Sequence, residues 1–139
     1  MTGYNCIMVY SPDRARVLMC KRTREPYLGL YNLVGGHIES GESGEAAAYR
    51  ELFEETGITR ENITLRHLMD FTYYNQDCYV EVWCGRLSCE VKLVEEANPL
   101  EWIELTGDGD YFDMSKYAGE GNIGHLLEQI KQFGEGFLD

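Results

Sequence analysis

The sequence predicts an α/β domain, and three observations predict it. Two β-rich runs, residues 4–10 and 16–20, open the chain. An alanine-rich segment with helix-capping residues at both ends follows at 43–57. Two alternating runs, 63–74 and 78–87, then precede a last segment whose apolar residues recur at helical spacing. With 139 residues, one domain over 1–139 is expected, long enough to bury about two thirds of its unfolded surface.

The elements follow in order. Residues 4–10 and 16–20 read as a hairpin across the turn-forming Ser11-Pro12-Asp13, and a turn-rich linker over 25–30 is followed by Tyr31-Asn32-Leu33-Val34, which leads into Gly35-Gly36. Ser43 is a reasonable N-cap for a helix running to about Thr56, where Gly57 can take the left-handed cap. Asn75-Gln76-Asp77 reads as the turn between the two alternating runs, and the segment from Lys92 as a loop followed by a short strand ending near Leu105. Asn122 is a good N-cap for a final helix over 123–133, with Ile123, Leu126, Leu127 and Ile130 facing the core.

Composition narrows the function classes. With 44% apolar and 26% charged residues the chain has the balance of an ordered globular protein. A net charge of -12 argues against binding duplex nucleic acid or an anionic membrane, which rely on clustered Lys and Arg. A small polyanion stays open as a partner if a divalent cation supplies positive charge. The five cysteines form no C-x-x-C pair and read as reduced thiols, so a cytoplasmic protein is expected.

Two clusters carry chemistry. Lys21-Arg22-Thr23-Arg24 is a basic run in an acidic chain, either a solvated loop or a phosphate clamp in which guanidinium groups fork onto phosphate oxygens. Glu51, Glu54 and Glu55 fall within an arc of roughly 100° on the first helix. Such carboxylates repel one another unless the face is solvated or a cation sits on it. A bare E-x-x-E-E is more often a solvated face.

The complete spacing decides between these readings. Gly36, Glu42 and the run Arg50-Glu51-Leu52-Phe53-Glu54-Glu55-Thr56-Gly57-Ile58 resemble, without deviation over residues 36–58, the Nudix box of the MutT-like hydrolases. Those enzymes cleave a nucleoside diphosphate linked to a further group. The resemblance implies an α/β/α sandwich around a mixed sheet. It also implies that Glu51, Glu54, Glu55 and the Gly35 carbonyl hold Mg²⁺ or Mn²⁺, that Arg50 holds the glutamates through ion pairs, and that Glu42 supports the loop. Hard cations prefer such oxygens and lower the pKa of a bound water. Glu51 is the first choice to accept that water's proton.

Further roles follow from the same resemblance. Residues 96–102 are similar to a segment whose loop glutamate reaches the metals, which points to Glu96, with Glu95 as the alternative. An asparagine before the final helix contacts the base in MutT-like enzymes, which points to Asn122. The run Tyr31-Asn32-Leu33-Val34-Gly35-Gly36 is similar to a W-N-x-x-G-G run with the same task, with tyrosine in place of tryptophan. Arg22, Arg24, Asn32, Leu33 and Asn122 are therefore the candidate substrate contacts. His67 reads as an ordinary strand residue, and the Gly- and Asp-rich residues 106–121 as an ordered site loop or as packing for the sheet edge.

The expected activity is a metal-dependent nucleoside triphosphate pyrophosphohydrolase of the 8-oxo-dGTPase kind, releasing nucleoside monophosphate and pyrophosphate. Hydrolysis of diadenosine polyphosphates is the alternative within the family, since Tyr74 stands where those enzymes often carry tyrosine. A catalytically silent nucleotide-binding regulator is the alternative outside enzyme function.

Overall fold

Strand β1 (Thr2–Tyr10) runs through the middle of a seven-stranded sheet, and the alternation of its side chains explains the layers. Ile7 and Val9 point to one face, Met8 and Tyr10 to the other, and all four are buried. A strand covered on both faces reads as an unbroken apolar run, which is how residues 6–10 appear in the sequence. The computed structural model describes residues 1–139 apart from the side chain of Glu135.

Around β1 the sheet is mixed. β2 (Arg16–Lys21) is antiparallel to it, whereas β6 (Cys78–Arg86) is parallel, in register from Thr2 opposite Cys78 to Tyr10 opposite Arg86. β3 (Tyr31–Asn32) and β7 (Leu100–Glu104) pair with β2, β4 (His37–Ile38) with β1, and β5 (Arg66–Tyr73) with β6, all antiparallel. A parallel pair needs a long crossover, and helix α1 (Gly44–Thr56) lies within it. Helix α2 (Asn122–Phe133) covers the opposite face.

Each helix closes one core. Ala48 and Leu52 of α1 pack with Ile7, Val9, Leu18, Cys20 and Trp83, while Leu126, Leu127 and Ile130 of α2 pack with Met8, Tyr10, Val17 and Met19. The expected α/β/α sandwich around a mixed sheet is what the chain forms. Burial pushes the Cys20 thiol up to about 11 and that of Cys84 up to about 12, so these cysteines are inert core fillers.

Several expected boundaries move. The first helix has its expected caps: Ser43 Oγ accepts the Ala46 N–H at 3.1 Å and Gly57 is left-handed at φ 80°. The last helix does not. Its N-cap is Gly121, φ 90°, and Asn122 is already helical, its amide donating instead to the Tyr73 hydroxyl at 2.8 Å. The strand expected from 63 begins at Arg66, because Ile63 and Leu65 turn into the α1 core and the Leu65 N–H is held by the Tyr49 hydroxyl at 2.8 Å. β3 ends at Asn32, since Leu33 and Val34 bend towards β1 and into Gly35. Residues 74–76 form a turn of 3₁₀ helix in place of a tight hairpin.

Leu52 is fully buried beneath the acidic face of α1. Leu52→Ala is expected to lower unfolding free energy by about 3 kcal/mol, through lost transfer energy and the cavity left behind, measured by urea denaturation.

Candidate active site

The acidic face of α1 meets a glycine turn, Gly35-Gly36, that leads from β3 to β4. Glycine is required at both positions. Gly35 has φ 149°, and a Cβ there would collide with the Asn5 backbone carbonyl. At Gly36 a Cβ would stand 2.5 Å from the Glu51 carboxyl carbon, so the side chain of Glu51 lies directly on the turn.

Arg50 ties this arrangement together. Its Nε and Nη2 hold the two oxygens of Glu42 at 2.6 and 2.8 Å, a bidentate pair. Nη1 reaches Glu51 Oε1 at 3.0 Å and Glu54 Oε2 at 3.2 Å, and Nη2 also donates to the His37 carbonyl at 2.9 Å. Glu42 in turn accepts the Glu39 N–H at 3.0 Å, closing the loop before the helix. The Arg50 guanidinium holds the Glu42 carboxyl down at about 2, and the Glu42 carboxylate, with Glu51, raises the Arg50 pKa in return, so both stay charged.

The three helix carboxylates face one way but are buried unequally. Glu54 is 56% exposed and Glu51 14%. Glu55 borders the core, where its Oε2 accepts the Gly35 N–H at 3.4 Å. Burial, with smaller contributions from Glu51 and Glu54, raises the Glu55 carboxyl from 4.5 to about 7, against the lowering effect of the Gly35 N–H and Arg22. The overlap has a geometric cause: positions 51 and 55 lie beside Ala48 and Leu52 on the helix wheel.

Among the described residues no three His, Cys, Asp or Glu side chains form a ready metal cluster, because Arg50 engages Glu51 and Glu54 while Glu55 turns to Gly35. The donor set is nonetheless all oxygen and anionic, which suits a hard divalent cation. Bringing carboxylates of like charge together on one helix face is costly without such a cation.

The other candidates are placed as follows. Arg22 is close enough to Glu55 to lower its pKa, and its Nε donates to the Pro26 carbonyl at 3.2 Å. Arg24 is exposed. Asn32 Oδ1 accepts the Leu33 N–H at 2.9 Å, and the Leu33 side chain is 4% exposed in the α2-side core, so that side chain serves packing rather than a ligand. Asn122 faces Tyr73 across the mouth of α2. Glu95 accepts the Leu100 N–H at 2.7 Å, leaving Glu96 exposed and the only one of the pair with a free carboxylate. His67 stacks on Trp83 and pairs with Asp70 within β5, a strand role.

Two features escaped sequence reasoning. Asn5 accepts the Gly36 N–H at 3.0 Å through Oδ1 and is buried beneath the turn. Tyr27 donates to Glu120 at 2.8 Å, clipping the loop after β2 to the loop before α2. Neither belongs to a spacing pattern, since each depends on contacts between segments far apart in the chain. In residues 106–121 the Tyr111 hydroxyl bridges Glu104 and Thr106, and Tyr117 is buried against Tyr31.

The chain has recognisable relatives among known proteins. The family model described as NUDIX domain matches residues 2–112. An asymmetrical bis(5'-nucleosyl)-tetraphosphatase of Caenorhabditis elegans is 31% identical over 108 residues, 73% of this chain and 74% of that one. An 8-oxo-dGTP diphosphatase of Escherichia coli (strain K12) is 33% identical over 73 residues, 52% of this chain, which spans only 57% of that relative. Among solved structures, a C. elegans Ap4A hydrolase binary complex superposes with a TM-score of 0.76 at 23% identity, covering 99% of this chain and 100% of that one.

The raised Glu55 pKa has a stability consequence. Between the unfolded value near 4.5 and the folded value of about 7 the folded state binds more protons, so this group makes the protein less stable as pH rises through that window. Glu55→Gln, measured by thermal denaturation with chelator present, is expected to gain stability relative to wild type as pH rises from about 5 to about 8.

Proposed function

Because the chain belongs to the NUDIX family and is a hydrolase of phosphoric anhydride bonds, we propose that it hydrolyses a nucleoside polyphosphate with the help of Mg²⁺ or Mn²⁺, at the site centred on Arg50. The carrying observation is the Arg50 network, which holds the His37 carbonyl of β4, Glu42 of the loop after it, and Glu51 and Glu54 of the helix in one cluster.

In this reading Glu51, Glu54, Glu55 and the Gly35 carbonyl hold the metal, with Glu96 from the loop before β7. The bound cation would offset phosphate charge and acidify a water for in-line attack on phosphorus. The chain's own residues supply the rest. Arg50 orients the carboxylates, Glu51 takes the water's proton, and Arg22 neutralises phosphate oxygens at the Glu55 side of the site. Arg24, exposed on the same loop, adds to that positive edge. Asn32 and Asn122 each keep one end of the amide free, a donor on Asn32 and an acceptor on Asn122, for a base edge. Leu33 supports Asn32 from the core.

For the substrate we infer a dinucleoside tetraphosphate cleaved asymmetrically. The similarity to the asymmetrical tetraphosphatase extends over most of both chains, whereas that to the 8-oxo-dGTP diphosphatase covers about half of each. Tyr74, 83% exposed at the end of β5, offers an open ring for a second base to stack on. The second reading is nucleoside triphosphate pyrophosphohydrolysis, favoured by the free donor and acceptor on Asn32 and Asn122.

A panel of diadenosine tetraphosphate, oxidised and ordinary purine triphosphates, and ADP-ribose separates these readings by kcat/KM with Mg²⁺ or Mn²⁺. Diadenosine tetraphosphate is expected to rank first, and no turnover of any member sinks the proposal. Glu54→Gln is expected to lower kcat by about a hundredfold or more while the protein stays folded, a loss equivalent to about 2.7 kcal/mol of transition-state stabilisation. Unchanged turnover in that variant removes Glu54 from the metal site.

A further inference from the structure

Asn5 is a polar residue in the centre of a hydrophobic sheet, 3% exposed, on the face that carries Ile7 and Val9. Its main chain and side chain both bind the glycine turn: the Asn5 N–H donates to the Gly36 carbonyl at 2.8 Å, and Oδ1 accepts the Gly36 N–H at 3.0 Å. The second bond assigns the amide, since only the oxygen can accept that proton. The other end is therefore Nδ2, which is buried and has no hydrogen-bond partner among the described residues. A buried donor without an acceptor is costly and uncommon, and calls for a role.

Two carboxylates border this amide. Glu81 is the residue opposite Asn5 in the β1–β6 pair; its Oε1 accepts from Trp83 Nε1 at 3.1 Å and its carboxyl lies on Gly44, at the start of α1 and not on the turn that Asn5 holds. Glu51 lies on Gly36, the residue that Asn5 holds. Its Oε1 is taken by Arg50, whereas Oε2 has no hydrogen bond among the described residues. An unpartnered buried donor and an unpartnered carboxylate oxygen thus flank the same glycine.

We propose that Asn5 is a positioning residue for the hydrolysis: one end of its amide holds the Gly36 turn, and the other donates to the free oxygen of Glu51 when substrate is bound. The bond orients the carboxylate that accepts the proton of the attacking water, so this inference rests on the reading of Glu51 given above. A purely structural Asn5 would use only the Oδ1 end.

Asn5→Asp separates the two roles, because a carboxylate still accepts the Gly36 N–H but offers no donor. Assayed at alkaline pH, where the new carboxylate is ionised, the expected result is a folded protein with KM little changed and kcat about tenfold lower, the scale of one hydrogen bond to a charged group. Its thermal transition is expected to be lower, since a buried charge is added near Glu51 and Glu81. Added to Glu51→Gln, the substitution is expected to cost nothing more, since it acts through Glu51. Wild-type kcat in Asn5→Asp, or a further loss in the double variant, overturns the proposal. If Glu51→Gln alone keeps full turnover, the assignment of Glu51 fails and takes the proposal with it. Full Asn5→Asp activity beside an inactive Glu51→Gln defeats the Asn5 role alone. Should Asn5→Asp not fold, the side-chain amide resonance of Asn5 decides in the otherwise native protein. It is expected to shift on adding Mg²⁺ with a non-hydrolysable nucleotide analogue, and to lose that shift in Glu51→Gln; no shift overturns the proposal.

Discussion

The guanidinium of Arg50 is the constraint on which the site depends. Three of its nitrogens hold three carboxylates and a main-chain carbonyl, and these come from both the loop before α1 and the helix itself. Without that cation, Glu42, Glu51 and Glu54 would repel one another and the loop over residues 37–43 would lose its tie to the helix. A lysine would not substitute, since a point charge cannot make the bidentate pair with Glu42 while reaching Glu51.

The sheet supplies the rigidity beneath this network. β1 is buried on both faces and hydrogen-bonded to β2, β4 and β6, so the segment that presents Asn5 to the glycine turn is held from every side. The glycines then let charged groups come close to backbone: Glu51 rests on Gly36, Glu81 on Gly44, and the Asn5 carbonyl lies against Gly35. Close approach to a buried surface is also what desolvates Glu55 and raises its pKa. Rigid packing and perturbed charge at this site have one cause, the insertion of an acidic helix edge against the core.

The proposed substrate contacts are organised differently. Arg22, Asn32, Tyr74 and Asn122 come from the loop after β2, from β3, from the turn after β5 and from the start of α2. Only tertiary contacts join them, among them the Asn122–Tyr73 and Tyr27–Glu120 hydrogen bonds. Such a rim can change in sequence without disturbing the Arg50 cluster.

What could be read without the structure was whatever depends on spacing along one element. The helix over 44–56 with its Ser43 and Gly57 caps, the glutamates of its acidic face and the strand–helix order of the sandwich are local or periodic, and periodicity is written in the chain. The same local logic misplaced the cap of α2, because Asn122 has good capping chemistry but Tyr73, distant in sequence, claims its amide. Leu33 reads as a neighbour of a binding asparagine, yet the fold turns its side chain into the α2-side core. The sequence by itself determined which residues make up the acidic cluster proposed as the reaction centre, since they share one helix and the loop ahead of it. Tertiary structure alone decided how deeply each carboxylate sits, which amide ends are left free, and that Asn5 lies under Gly36. Burial and hydrogen-bond partnership are set by segments tens of residues apart, and no period in the chain records them.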